Sequence, residues 1–140
     1  MAASANIVRA YEADDNPAFN HLPVQASSVC YAGAAMTADS NGDVGPLNVS
    51  EAFAGFAEQK VDNGSGSAGD EDVQVRSRGK VTLSVTGVDD HDDYNAAVYA
   101  TDDNTFTLTA SGGLQIGKVV RWISGTTCVV AFEAAALRSI

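Results

Sequence analysis

Apolar and polar residues alternate with a period of two over several short stretches, the signature of half-buried strands. Val73-Gln-Val75 alternates. After an interruption at Arg76-Ser-Arg-Gly79, Val81-Thr-Leu83-Ser-Val85-Thr86 places valines and leucine on one side and hydroxyls on the other. Thr105-Phe106-Thr-Leu108-Thr-Ala110 repeats the pattern, with Phe106 and Leu108 inward. Cys128, Val130 and Phe132 mark the inner face of a late strand, and Val98-Tyr99-Ala100 marks another. Lys118-Val119-Val120-Arg121-Trp122-Ile123 carries apolar groups on both sides and predicts two-sided burial. Turn residues separate these runs at Asn41-Gly42, Asp62-Asn63-Gly64, Asp102-Asp103-Asn104 and Ser111-Gly112-Gly113. Asn63 to Gly69 is the longest flexible stretch and predicts an exposed loop. Ser50 can cap a short helical turn over Ser50–Phe53, which Gly55 keeps from growing at a cost of about 1 kcal/mol relative to alanine. A strand from Phe56 to Val61 follows in this reading.

Residues 1–28 carry neither this period nor a helical one. Pro17 and Pro23 push the residues before them towards extended backbone, and apolar residues stand singly among polar ones. The pattern fits a frayed terminus and an extended arm equally well. As an arm, it would dock through Ile7, Val8, Tyr11, Phe19, Leu22 and Val24. Residues 29–140 form one β domain in this reading. An internal repeat runs through it. Cys30-Tyr-Ala matches Val98-Tyr-Ala, and Gly55-Phe-Ala resembles Gly117-Lys-Val. The expected fold is mainly β: a small, compact sandwich or barrel-like domain built from two related β motifs. An extended N-terminal arm and at most one or two short helices complete it.

Composition narrows the function. The 140 residues suit one domain, and 18 acidic against 8 basic residues give a net charge of −10 and a pI near 4.3. Phosphate backbones need clustered Lys and Arg, so nucleic acid is excluded as a partner, and an anionic membrane surface with it. The first residues show no signal-peptide pattern, and no apolar run reaches the roughly 20 residues needed to span a bilayer. Synthesis in a host cytoplasm is the expectation. Cys30 and Cys128 sit in apolar runs and read as small hydrophobes rather than as a disulfide.

Candidate chemistry is thin. Asp89-Asp-His91-Asp-Asp93 offers hard oxygens and an imidazole, but neighbours on an extended segment point alternately, so an exposed acidic loop is the better reading. Asp39-Ser-Asn41-Gly-Asp43 spaces oxygens as a calcium loop does. Yet Val44 and Ser50 stand where glycine and glutamate belong, and an Asn-Gly turn explains it. No metal or cofactor is therefore expected. His21 and His91 lie in no nucleophile context, Cys30 lacks electropositive neighbours, and Gly64-Ser-Gly-Ser-Ala-Gly69 lacks a P-loop ending. An enzyme is not expected.

The order of the segments resembles the capsid cement, or head decoration, proteins of tailed bacteriophages. The similarity runs over about residues 7–133. Arg9-Ala-Tyr11 and Leu22-Pro-Val24 resemble the family's entry segment, and Val29-Cys-Tyr-Ala-Gly33, Phe56-Ala57, Gly69-Asp70, Val73-Gln-Val75 and Arg78-Gly79 continue it. It is strongest at Ala97 to Thr109 and at Leu114-Gln-Ile-Gly-Lys-Val119. The resemblance implies a structural virion protein on the outer capsid surface. Such a protein trimerises and bridges major capsid protein subunits, with the N-terminal arm on the shell. Trp122 and Phe132 are candidate subunit contacts, and they are equally good core residues. The loop at 62–72 and the acidic loop at 89–93 depart from a plain member. A β-sandwich carbohydrate-binding module and another virion subunit, such as a tail protein, remain as alternatives.

Overall fold

The computed structural model describes residues 2–13 and 18–138. Its strands are β1 (Ala18–Pro23), β2 (Ser28–Cys30), β3 (Ala35–Ala38), β4 (Val44–Pro46), β5 (Ala52–Ala57) and β6 (Val61–Asn63). They continue with β7 (Asp72–Thr86), β8 (Ala97–Asp102), β9 (Thr105–Thr107), β10 (Leu114–Ser124) and β11 (Thr127–Glu133). The helical content described is two single 3-10 turns, His91–Asp93 and Ala135–Leu137. The fold is mainly β, as the alternation predicts.

β7 is the spine. Its burial alternates without interruption along all 15 residues, so the expected break at Arg76–Gly79 does not occur. Ser77 and Gly79 simply continue the inward series, with Arg76 and Arg78 outward. At Gly79 the space is taken by Phe132, whose ring would already be in van der Waals contact, at 3.4 Å, with a Cβ placed there.

Two rings of strands share this spine. In one, β11 pairs with residues 78–84 of β7, β10 with β11, β8 with β10 and β9 with β8. β9 then returns parallel to Val85 and Thr86, which closes a five-stranded barrel. In the other, β1 pairs with residues 72–78 of β7, which also pairs β5; β3 and β4 follow. A parallel bridge between Val24 and Val44 completes this ring, the first along the chain; the five-stranded barrel is the second.

The rings are copies at the level of register. Ala35↔Phe56, Met36↔Gly55, Thr37↔Phe53 and Ala38↔Ala52 recur 62 residues later as Ala97↔Lys118, Val98↔Gly117, Tyr99↔Gln115 and Ala100↔Leu114. The hairpin pairs Thr37↔Gly45 and Ala38↔Val44 likewise recur as Tyr99↔Thr107 and Ala100↔Phe106. Gly55 and Gly117, which the sequence repeat matched, are equivalent. A Cβ on either would lie about 2 Å from a carbonyl oxygen, 2.1 Å from that of Arg76 and 2.0 Å from that of Ala131. Each stands beside a bulge that only a bare backbone permits. The Cys30 half of the expected repeat is out of step. Met36, not Cys30, occupies the place of Val98, and the true match is Ala35-Met-Thr-Ala38 with Ala97-Val-Tyr-Ala100.

Each ring has its own apolar filling. Val24, Met36, Val44, Val73 and Val75 fill the first, and Leu83, Val85, Val98, Ile116 and Val130 the second. Phe56 joins them: it comes from the first ring and packs edge-on against Phe132 at 4.8 Å and against Phe106 at 6.2 Å. Phe132 touches both Phe56 and Tyr11 and is 2% exposed, so Phe132→Ala is expected to cost about 3–5 kcal/mol in urea denaturation.

Several local expectations change. Ser50–Phe53 is not helical. The Asn48 Oδ1 accepts from the Ser50 N–H (3.1 Å) and hydroxyl (2.8 Å), and the chain enters β5 directly at Ala52. The strand expected over Phe56–Val61 is split, since β5 ends at Ala57 and β6 turns to pair with β2. Lys118–Ile123 is not buried on two faces. Register shifts at 119–121 and 122–124 rephase β10 and leave Ile123 44% exposed. The loop after Asn63 is exposed, but Asn63 itself is buried and holds it, its amide donating to the carbonyls of Gln25 and Ser67 (both 3.0 Å).

Where described, the N-terminal 28 residues are largely extended and lie within the β domain rather than ahead of it. The Ile7 N–H donates to Ala32 O at 2.7 Å. The Thr82 N–H donates to Ala10 O (2.9 Å) and that of Glu12 to Lys80 O (3.0 Å), so Tyr11 pairs with Val81 as a one-residue strand. This strap lies on the β7 edge between β5 and β9. Residues 18–23 are β1, and Val24 is fully buried. The patch Asp14-Asp-Asn16 and Pro17 lie outside the described residues.

Candidate functional site

The strap places its side chains by the period of two that an extended segment dictates. Ile7, Arg9 and Tyr11 turn inward, and Val8 between them is fully exposed. Arg9 is the main anchor. Its Nε donates to Gly33 O (2.8 Å), its Nη2 donates to Asn104 Oδ1 (2.9 Å), and its guanidinium lies over Phe56 (5.6 Å) and Phe106 (5.4 Å). Burial depresses its pKa below the usual arginine value. Nearer the terminus, the Ala3 N–H donates to the buried Asp103 carboxylate at 2.7 Å, and burial raises that carboxyl's pKa.

A second arginine ties the strap to β1. The Arg76 guanidinium sits 3.9 Å from the Tyr11 ring centroid and 4.7 Å from that of Phe19, and its Nε donates to Glu58 at 2.7 Å. Burial, with the Glu58 charge second, pushes the Tyr11 hydroxyl up to about 12. Glu12 forms an ion pair with Arg121. Sequence reasoning missed the roles of Arg9 and Arg76. The available signal was the alternation Ile7-Val8-Arg9-Ala10-Tyr11, with arginine on the apolar side.

The six residues expected to dock do not share one role. Val24 is core, Ile7, Tyr11 and Leu22 are half-buried against the chain's own domain, and Val8 and Phe19 (46% exposed) face outward. Phe132 is core and so is not available for a subunit contact. Trp122 is half-buried against the second ring, its indole N–H donating to Gly125 O at 3.0 Å.

The acidic segments resolve into turns. Asp39 Oδ1 accepts from the N–H groups of Asn41 (2.9 Å) and Asp43 (3.0 Å), closing the β3–β4 turn. Asp89–Asp93 is not extended, contrary to expectation. Its 3-10 turn gathers the carboxylates of Asp89, Asp92 and Asp93 within 4.8 Å of one another. Backbone N–H donation, led by Asp89, holds Asp93 below the usual carboxylate range, and the Asp93 charge raises Asp89. His91 Nδ1 lies 2.6 Å from Asp90 on the surface, and His21 is exposed on β1.

Cys30 and Cys128 are free and buried, and burial raises both thiols to about 11. The expected outcome is that a thiol reagent at pH 8 labels neither cysteine promptly in native protein and both in denaturant. Fast native labelling would contradict the packing described.

No family model matches this chain, and no curated protein matches it.

Proposed function

We propose that the protein is a structural virion component that decorates the outside of an assembled phage head. It bridges major capsid protein subunits there as a homotrimer, without cofactor or catalysis. The resemblance over residues 7–133 motivates this reading. One structural observation supports it: beside the residues that resemble the family's entry region, the N-terminal stretch turns two apolar groups outward. Val8 is fully exposed and Phe19 nearly half exposed on the same N-terminal stretch whose Ile7, Arg9, Tyr11 and Leu22 turn inward. The inner row fixes the segment, so contact with a shell costs little further ordering. Many copies on one shell multiply weak individual contacts. A charge of −10 per chain keeps free trimers apart and away from DNA.

Cosedimentation with expanded and unexpanded heads of the cognate phage tests the reading. Saturable binding that prefers expanded heads, from a species of three subunits, is expected. A monomer indifferent to heads contradicts it. Replacing Val8 and Phe19 together by serine is expected to leave the fold intact and weaken head binding at least tenfold.

A further inference from the structure

The two rings differ at one place that their shared register makes visible. In the second ring, the β7 edge at Val81 is occupied by the strap, through Tyr11. The residue of the first ring equivalent to Val81 is Asn20. Asn20 pairs with Val75 as Val81 pairs with Val130, and Val75 and Val130 lie opposite Ala57 and Val119, which are 62 residues apart. No described residue pairs with β1 on that outer edge.

The edge has the same hydrogen-bonding set as its occupied twin. The Val24 N–H donates to Glu71 O, so by alternation Leu22 and Asn20 also face β7. The Phe19 carbonyl and the His21 N–H then face outward, as the Lys80 carbonyl and Thr82 N–H do where they hold the strap. Beside this edge lies an apolar groove of about 190 Å³, lined by Leu22, Ala52, Phe53, Ala134 and Leu137, with Ser77 at its floor. Ser77 stands where the second ring has Phe132, the ring against which Tyr11 packs, since they follow Arg76 and Ala131 in the matched strands. The first ring is therefore short of one strand and of aromatic filling at one spot.

We propose that the β1 edge around Asn20 captures an extended segment of a different protein. That segment lies antiparallel to β1 and places an aromatic side chain in the groove over Ser77, as the strap does on β7. A second copy of this chain is the poorer occupant. Its own strap is already held by Arg9, Tyr11 and Ala3. On the proposed decoration role, that segment belongs to the major capsid protein.

Two variants test it on purified heads. His21→Pro deletes the outward N–H while leaving the β7-facing bonds, and Ser77→Phe fills the groove from within. Both are checked for a native circular dichroism spectrum and cooperative unfolding, and a variant that fails this check is replaced by His21→N-methyl or Ser77→Leu. Wild-type protein that binds heads while folded variants bind at least tenfold more weakly is the expected result. Wild type and folded variants binding equally would overturn strand capture and leave the decoration reading standing. Wild type that ignores heads would overturn both.

Discussion

Gly55→Ala and Gly117→Ala are each expected to destabilise the protein by about 3–5 kcal/mol, among the largest effects of any single substitution in the chain. The added methyl would meet the carbonyl oxygen of Arg76 at 2.1 Å or that of Ala131 at 2.0 Å. Both oxygens belong to central strands, so the backbone cannot yield without breaking the ladder on its other side. Gly55 also has a φ of +125°, which a side chain resists. Gly112→Ala is the control. It too has positive φ, but open space surrounds it, and about 1 kcal/mol is expected. Because the two glycines serve different rings, their effects should add in urea denaturation. Costs near that of Gly112→Ala would show that the bulges are not what fixes the register.

Truncation gives the second large effect. Removing residues 2–12 deletes the strap and uncovers Phe56 and Phe106, which Arg9 covers, so the product is expected to fold with stability lowered by about 2–4 kcal/mol. Removing residues 2–24 also deletes β1 and Val24, leaves the 72–78 half of β7 without a neighbour on one edge, and opens the first ring. That product is expected not to fold. Far-ultraviolet circular dichroism and thermal melts read both outcomes. A cooperative melt from the longer truncation would show that the N-terminal segment is an appendage after all. The structure thus replaces the simpler idea of an arm that can be cut away whole: the same residues staple the domain and present its outward apolar groups.

Much of this architecture is legible in the chain, because alternation is a local signal. Val81–Val85, Phe106 and Cys128–Phe132 fall on the faces their spacing predicts. The repeated motif is legible through Gly55 and Gly117, where a close carbonyl leaves no choice of residue. What escapes the sequence is non-local. Arg76–Gly79 looks like a break because two arginines and a glycine are poor strand formers. Gly79 stands against Phe132, more than 50 positions away. Residues 1–28 look aperiodic because they join two separate ladders on opposite edges of β7, each too short to show a period. Arg9 looks solvent-facing until Phe56, Phe106 and Asn104 are seen around it. The candidate surface was legible as a segment and not as a division of labour between inward and outward residues.

The proposed decoration role puts the N-terminal side of the molecule against the shell of a head. Cryo-electron microscopy of expanded cognate heads incubated with the protein tests it most directly. Threefold densities are expected on the outer surface, each placing the strap and β1 on the shell, with Val8 and Phe19 in contact. Shells that stay bare, or densities that present β1 to solvent and another face to the shell, would contradict it.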